Sequence, residues 1–182
     1  PPSPPTRPPP HSPPLPPSPP LPPSSPPIQP GAIFGDKSSL KDALNEWCTN
    51  PTDAHATYGY VSSWDVSAIT DMSWLLYDVA MCPYNFDQDI DGWDVGQVTN
   101  MQLMFGYVRA FNQPLNAWNV GKVTNMQMMF YGGDYSNHAF NQALNAWDVR
   151  EVTDMTAMFY GASAFNQPLS FDTSSVTSMY GM

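Results

Sequence analysis

The sequence has few basic residues and few cysteines, and both shortages narrow its function. Lys and Arg number 6 against 16 Asp and Glu, which gives a formal net charge of -10. Such a chain repels phosphate, and its few cations are scattered, so we expect no nucleic acid partner. Two cysteines, Cys48 and Cys82, are too few for a disulfide scaffold.

Long apolar runs and catalytic motifs are also missing. No stretch approaches the roughly 20 residues that span a bilayer, so no membrane span is expected. The sequence has no glycine-rich phosphate loop, no His pair at metal-binding spacing and no set of nucleophile, base and acid. Asp87, Asp89 and Asp91 alternate as in a calcium loop, but the Gly and terminal Glu of that pattern are absent. We expect no enzyme activity, no catalytic residues and no resident metal.

Proline is concentrated at one end of the chain. Residues 1–30 hold 18 of the 22 prolines, with serine as the main spacer. This composition predicts an extended polyproline II stalk that rises about 3.1 Å per residue, roughly 90 Å in all. Because the chain begins with proline, we expect a processed or fragmentary product.

The rest of the chain is dominated by a sequence motif, which we call the phrase and which recurs five times. It reads aromatic, acid or amide, Val or Thr, two variable residues, Val or Ile, Thr, a polar residue and Met. Its copies begin at Trp64, Trp93, Trp118, Trp147 and Phe171. A spacing of 24 to 29 residues is typical of stacked repeat proteins. We predict tandem repeats over residues 64–182, with the last copy truncated.

Local patterns assign secondary structure to each copy. Met101, Met104 and Phe105 have helical spacing, as do their counterparts, and the Thr two residues before the Met stands at an N-cap position. Alternation of Trp118 and Val120 predicts a short strand. The predicted fold is an α/β repeat solenoid, a leucine-rich-repeat-like stack of short parallel strands and short helical turns.

Residues 31–63 are predicted to close the N-terminal end of this stack. Within them, 39–48 forms an amphipathic pattern with Leu40, Ala43 and Leu44 on its apolar face. Ser39 with Asp42 is predicted to begin this capping helix.

The predicted strand geometry exposes one acidic or amide residue per copy in a column. The column consists of Asp65, Asp94, Asn119, Asp148 and Asp172. Neighbouring strands lie about 4.8 Å apart, so these charges repel, and calcium or a basic partner would relieve the repulsion. Alternatively, the same side chains bond locally to turn backbone.

Other polar positions also leave two interpretations open. Gln88, Gln113, Gln142 and Gln167, one beside each Phe, form an amide row or contact a ligand. Cys48 and Cys82 form a disulfide between cap and first repeat, or remain two buried thiols.

The motifs Trp-Asp-Val-x-x-Val-Thr-x-Met-x-x-Met-Phe and Phe-Asn-Gln-Pro-Leu resemble those of BspA-like leucine-rich-repeat surface proteins. The resemblance extends from about Phe34 to Met182 and implies adhesion, protein binding or envelope display. The Ser-Pro-Pro stalk is similar to hydroxyproline-rich glycoprotein segments of algal and plant walls, which implies an algal or protist source.

These observations predict an extracellular, cell-surface or cell-wall module that binds protein or glycan through exposed repeat faces. One alternative is a structural wall or matrix component without a defined ligand. Another is the non-catalytic part of a larger enzyme.

Overall fold

The computed structural model describes residues 31–77, 85–134 and 138–182. Its regular elements are helix α1 (Lys37–Thr49), helix α2 (Pro51–Tyr58) and a 3-10 turn (Val61–Ser63). The predicted stalk lies outside the described residues. Within the described ranges, neither helix has the length and apolar character of a membrane span.

Helix α1 begins earlier than the sequence pattern predicts. Its N-cap is Asp36, whose Oδ1 accepts a hydrogen bond from the Ser39 amide at 2.9 Å. The predicted start at Ser39 with Asp42 is therefore wrong, because Asp36 caps the helix by accepting a free amide of its first turn. Leu40, Ala43 and Leu44 are fully buried and form the face that packs on the core.

The repeat region has no strand among the described residues, and Asn85 is the one described residue there in α-helical conformation, so the predicted α/β repeat solenoid is wrong. Successive copies are instead joined by isolated parallel bridges between residues 71, 100, 125, 154 and 178. Beside each bridge, a Thr amide donates to the Thr carbonyl of the preceding copy at 2.8 Å, along the series Thr70, Thr99, Thr124, Thr153 and Thr177. A single bridge per copy does not build a parallel sheet.

A residue in the left-handed region explains why neither strand nor helix forms. Two residues after each phrase Met, φ is +59° at Trp74, +52° at Leu103, +54° at Met128 and +52° at Ala157. This conformation lies outside both the extended and the right-handed helical regions, so the chain turns there. The apolar spacing that predicted a helix comes instead from single turns. One of them is closed by the hydrogen bond from the Met104 amide to the Met101 carbonyl, at 3.2 Å.

The threonines predicted as helix N-caps have a different role. Of the predicted caps Thr70, Thr99, Thr124 and Thr153, the last three donate their hydroxyls to the Thr carbonyl of the preceding copy at 3.1 to 3.2 Å, and Thr177 in the fifth copy does the same at 3.0 Å. Since the amide of the same residue donates to the same carbonyl, each threonine ties two copies together. The N-cap prediction is wrong because there is no helix for these side chains to cap.

The core consists of aromatic and methionine side chains that stack from copy to copy. Trp93, Trp118 and Trp147 are buried, as are the phrase methionines from Met72 to Met155. The rings of Phe105, Phe130 and Phe159 lie nearly parallel, with centroids 5.3 and 5.5 Å apart. A second series, Phe86, Phe111, Phe140 and Phe165, has spacings of 6.0 to 6.1 Å. Each copy thus completes its core with side chains of the next copy.

Buried polar groups are also satisfied between copies. The indole N–H of Trp118 donates to the Ile90 carbonyl at 3.0 Å, and that of Trp147 donates to the Leu115 carbonyl at 2.8 Å. Two buried side-chain atoms of the described residues have no hydrogen-bond partner, Asp91 Oδ1 and the indole nitrogen of Trp64 in the first copy. The unsatisfied indole marks the place where the stack meets the N-terminal helices.

Candidate interaction surface

The predicted acidic column is exposed, but its side chains bond to their own turns. In every copy the Oδ1 atom accepts a hydrogen bond from the backbone amide two residues later. The distances are 2.9 Å for Asp65, 2.9 Å for Asp94, 3.2 Å for Asn119, 3.3 Å for Asp148 and 3.1 Å for Asp172. This is the local bonding that the sequence left open as an alternative. Calcium or partner binding along this column stays a prediction.

The charges of the column are stabilised by neighbouring donors. Hydrogen bonds from Arg150 lower the pKa of Asp148 to about 2, with an Arg150 Nη2 to Asp148 Oδ2 distance of 2.6 Å. Hydrogen bonds from Ser67 and Ser174 lower the pKa values of Asp65 and Asp172. No group of three or more His, Cys, Asp or Glu in the described ranges is arranged to hold a metal ion.

Three of the four glutamines of the row, Gln113, Gln142 and Gln167, bond to backbone of the preceding copy. The Gln142 amide donates to the Asn112 carbonyl at 2.8 Å, and Gln167 donates to the Asn141 carbonyl at 3.2 Å. Gln113 donates to the Asp87 carbonyl at 3.3 Å. These side chains therefore hold adjacent copies together through their amide groups.

The two cysteines differ in what the structure describes. Cys48 lies half-buried in α1 and is disulfide-bonded. Cys82, its predicted partner, lies outside the described residues. The pairing of the two residues stays a prediction.

A surface row of aromatic side chains, which we call the tyrosine row, runs across the four full copies. It consists of Trp74, Tyr77, Tyr107, Tyr131 and Tyr160. Adjacent centroids lie 5.1, 5.5, 5.2 and 5.5 Å apart along this order. Trp74 and Tyr160, at the two ends, are 40 % and 44 % exposed, and the residues between them are half-buried.

Glycines beneath the row allow the rings and the chain to approach closely. A Cβ on Gly133 would lie 2.7 Å from the Tyr107 ring, and Gly133 also has a φ of +73°. A Cβ on Gly132 would lie 2.2 Å from the Gly161 carbonyl oxygen. A larger residue at Gly132 would therefore push the third and fourth copies apart, and one at Gly133 would displace the Tyr107 ring.

The phenol groups of the row interact with one another and with an acidic residue. Burial, the charge of Tyr131 and a hydrogen bond with Tyr131 raise the pKa of Tyr107, in that order of size. The Tyr160 hydroxyl donates to Asp134 Oδ1 at 3.0 Å, and this bond raises the pKa of Tyr160. Both tyrosines remain neutral hydrogen-bond donors and acceptors at neutral pH.

The sequence contains a signal for this row in the spacing of its tyrosines, which lie outside the recurring phrase. Tyr77, Tyr131 and Tyr160 each stand five residues after the phrase Met, and Tyr107 stands six residues after it. The spacing indicates a recurring position, but exposure and ring contacts depend on how the loops pack.

Comparison with known proteins gives a family but no function. A family model described as "Mycoplasma protein of unknown function, DUF285" matches residues 49–138 and 133–182. No curated protein and no solved structure matches significantly. Together the two matches cover well over half of the chain, and the chain therefore belongs to this family of proteins of unknown function.

Proposed function

We propose that this chain is an extracellular or cell-surface interaction module that binds protein or glycan through an exposed face of its repeats. The observation that carries the proposal is the tyrosine row. Tyr and Trp are over-represented where proteins bind partners, because they offer large apolar area and a polar group with few rotatable bonds. The row presents at least one such residue from every full copy.

The row differs from ordinary exposed hydrophobic residues in being continuous. Its five rings contact in sequence, and two of them, Trp74 and Tyr160, expose a large share of their surface. Contiguous apolar patches with polar edges mark interaction sites more often than isolated residues do. Here Asp134 and the tyrosine hydroxyls supply the polar edge.

Family membership and charge support the same proposal. The family is found in BspA-like surface proteins, which fits display outside the cell. With a net charge of -10, the module favours basic or neutral partners over acidic ones. The leucine-rich-repeat architecture of that resemblance is not part of the proposal, because the repeat region forms turns and single bridges.

The experiment compares binding of the whole chain and of surface variants to arrays of glycans and of extracellular proteins. Trp74→Asn keeps a residue that tolerates the left-handed conformation, and Tyr160→Ser removes the other exposed end. We expect saturable binding that either substitution weakens at least tenfold. Tyr60→Ser is the matched control, since Tyr60 is 52 % exposed and lies outside the row.

Two results would contradict the proposal. One is the absence of any saturable partner, which favours the structural wall or matrix component. The other is equal binding by wild type, Trp74→Asn and Tyr160→Ser. If Asp94→Ser and Asp148→Ser then reduced binding, the acidic column would replace the tyrosine row as the site.

A further inference from the structure

Tyr107 and Tyr131 are a pair of phenols held close together in adjacent copies. Their ring centroids lie 5.2 Å apart, the closest tyrosine pair of the row, and their planes meet at 76°. The backbone amide of Tyr107 donates to the Tyr131 carbonyl at 2.7 Å.

The backbone beneath this pair restricts where the Tyr107 ring can go. Tyr107 itself has a left-handed φ of +59°. Gly133 leaves no side chain between its backbone and that ring, because a Cβ there would lie 2.7 Å from Tyr107 Cε1. The ring is therefore confined near Tyr131, while both side chains keep partial contact with solvent.

We propose that Tyr107 and Tyr131 form an oxidative modification site, at which a one-electron oxidant joins the two rings as dityrosine. The oxidant class is a peroxidase with hydrogen peroxide. Each phenol loses one electron and one proton, and the two radicals form a bond between carbons ortho to the hydroxyls. The hydrogens on those carbons move to the oxygens, which restores both aromatic rings. Overall, two hydrogen atoms leave the protein, and one peroxide becomes two water molecules.

Geometry favours this pair over its neighbour Tyr160. The Tyr107 and Tyr131 rings meet edge to face, at 76° and 5.2 Å, so the edge of one ring, where its ortho carbons lie, faces the other ring. The rings of Tyr131 and Tyr160 are instead nearly parallel, at 15°, and their centroids are 5.5 Å apart. Tyr160 also directs its hydroxyl to Asp134. Coupling of Tyr131 with Tyr160 therefore needs a larger rearrangement.

The product would be a covalent link between the second and third copies. Such a link adds to the hydrogen bonds and ring contacts that hold the copies together, so it would resist separation of the stack. The inference does not depend on the proposed binding function, since coupling needs only the oxidant.

The test treats the whole chain, at a dilution that suppresses reactions between molecules, with peroxidase and hydrogen peroxide. Dityrosine fluorescence and a mass lower by two hydrogen atoms report coupling. Trypsin cleaves after Lys41, Arg109, Lys122 and Arg150, so Tyr107 and Tyr131 fall in different peptides. We expect a cross-linked product that joins 42–109 to 123–150, with fragmentation placing the bond at the two tyrosines.

Substitutions decide whether the pair is responsible. Tyr107→Phe and Tyr131→Phe, which remove only the hydroxyl, should each lower the yield of this product at least tenfold, whereas Tyr60→Phe should keep it. The proposal would be overturned by persistence of the product in Tyr107→Phe. It would also fail if no coupling occurred, or if the main product joined 123–150 to 151–182 or linked separate molecules.

Discussion

Single residues in the left-handed conformation shape every copy of this repeat. Trp74, Leu103, Met128 and Ala157 adopt a backbone conformation that side chains with a Cβ rarely adopt. In the fifth copy the equivalent residue is Gly181, with φ +68°. The position therefore tolerates the smallest residue, and the larger residues at it carry conformational strain.

Ala157→Gly tests this strain. Ala157 is 7 % exposed, and glycine removes the Cβ that disfavours its positive φ. We expect a stability equal to or up to about 1 kcal/mol above that of wild type, since relief of strain offsets the lost methyl group. Urea unfolding measures the difference.

The matched control is Ala162→Gly, because Ala162 is similarly buried and has no positive φ. There glycine should destabilise the protein by about 0.5 to 1 kcal/mol. Equal losses at both positions would show that the left-handed residues are not strained.

His138 is a second residue with a predictable effect, because it is 1 % exposed. Its Nε2 donates to the Phe105 carbonyl at 3.0 Å, and its Nδ1 accepts from the Phe140 amide at 3.4 Å, which requires the neutral ring. Burial lowers the pKa of His138 further than the bond to Phe105 raises it. Protonation therefore favours the unfolded chain.

Stability should accordingly be pH-dependent. Because the folded-state pKa of His138 lies below the unfolded value of about 6.5, the stability contributed by the neutral ring is complete above about pH 6.5 and is lost as the pH falls from there through the folded-state pKa. In His138→Gln, the slope of unfolding free energy between about pH 7 and pH 5 should decrease. Denaturant unfolding at several pH values measures these slopes, and an unchanged slope in His138→Gln would contradict the assignment.

At the scale of the element, each repeat is a set of turns tied to its neighbour by side-chain amides. Asp87, Asn112 and Asn141 occupy equivalent positions, and each accepts the backbone amide of the next copy through Oδ1. The distances are 2.9 Å from the Asn112 amide, 2.9 Å from the Asn141 amide and 2.8 Å from the Asn166 amide. This series does part of the work that sheet hydrogen bonds would do in a strand-based repeat.

Asn112→Ala tests the series. It removes the Oδ1 atom that accepts from both the Asn141 amide and the Gln142 side chain. We expect a loss of about 1 to 3 kcal/mol in the free energy of unfolding, because these half-buried donors lose an acceptor. Chemical denaturation provides the value.

Asn112→Asp is the informative companion, since Asp87 shows that a carboxylate serves at the equivalent position. It should cost less than Asn112→Ala, and Asn145→Ala, at an exposed asparagine of the next turn, should change stability by less than about 0.5 kcal/mol. Similar losses from Asn112→Ala and Asn145→Ala would show that the shared amide bonds contribute nothing.

At the scale of the whole molecule, the helical N-terminal segment is attached to the first copy by polar contacts as well as by its core. The Lys37 ammonium lies 3.1 Å from Asp71 Oδ2 and donates to the Ser73 hydroxyl at 2.8 Å. Burial acts to raise the pKa of Asp71, but hydrogen bonds from Ser73 and Lys37 lower it overall. The contact joins α1 to the first bridge of the stack.

The disulfide of Cys48 should strengthen this attachment if its partner is Cys82. A bond that closes a loop of about 35 residues contributes roughly 3 to 4 kcal/mol by restricting the unfolded chain. We expect reductant to lower the melting temperature of wild type, but not that of a variant carrying Cys48→Ser and Cys82→Ser. Intact mass after alkylation checks the pairing, and two thiols that react before reduction would exclude it.

The sequence alone determined the composition of the stack. The recurring Trp, Met and Phe positions indicate which side chains lie inside, and Trp93, Trp118 and Trp147 are buried as that pattern requires. Apolar side chains in a repeating phrase must be removed from water whichever backbone conformation carries them, so periodicity was sufficient for this inference.

Only the tertiary structure decided the backbone and the surface. The same apolar spacing fits a helical turn or a left-handed turn, and contacts with the next copy select the left-handed turn at Leu103 and Met128. Exposed side chains are constrained still less by pattern, because their neighbours come from other copies. The tyrosine row therefore emerges only when the loops of adjacent copies are packed together.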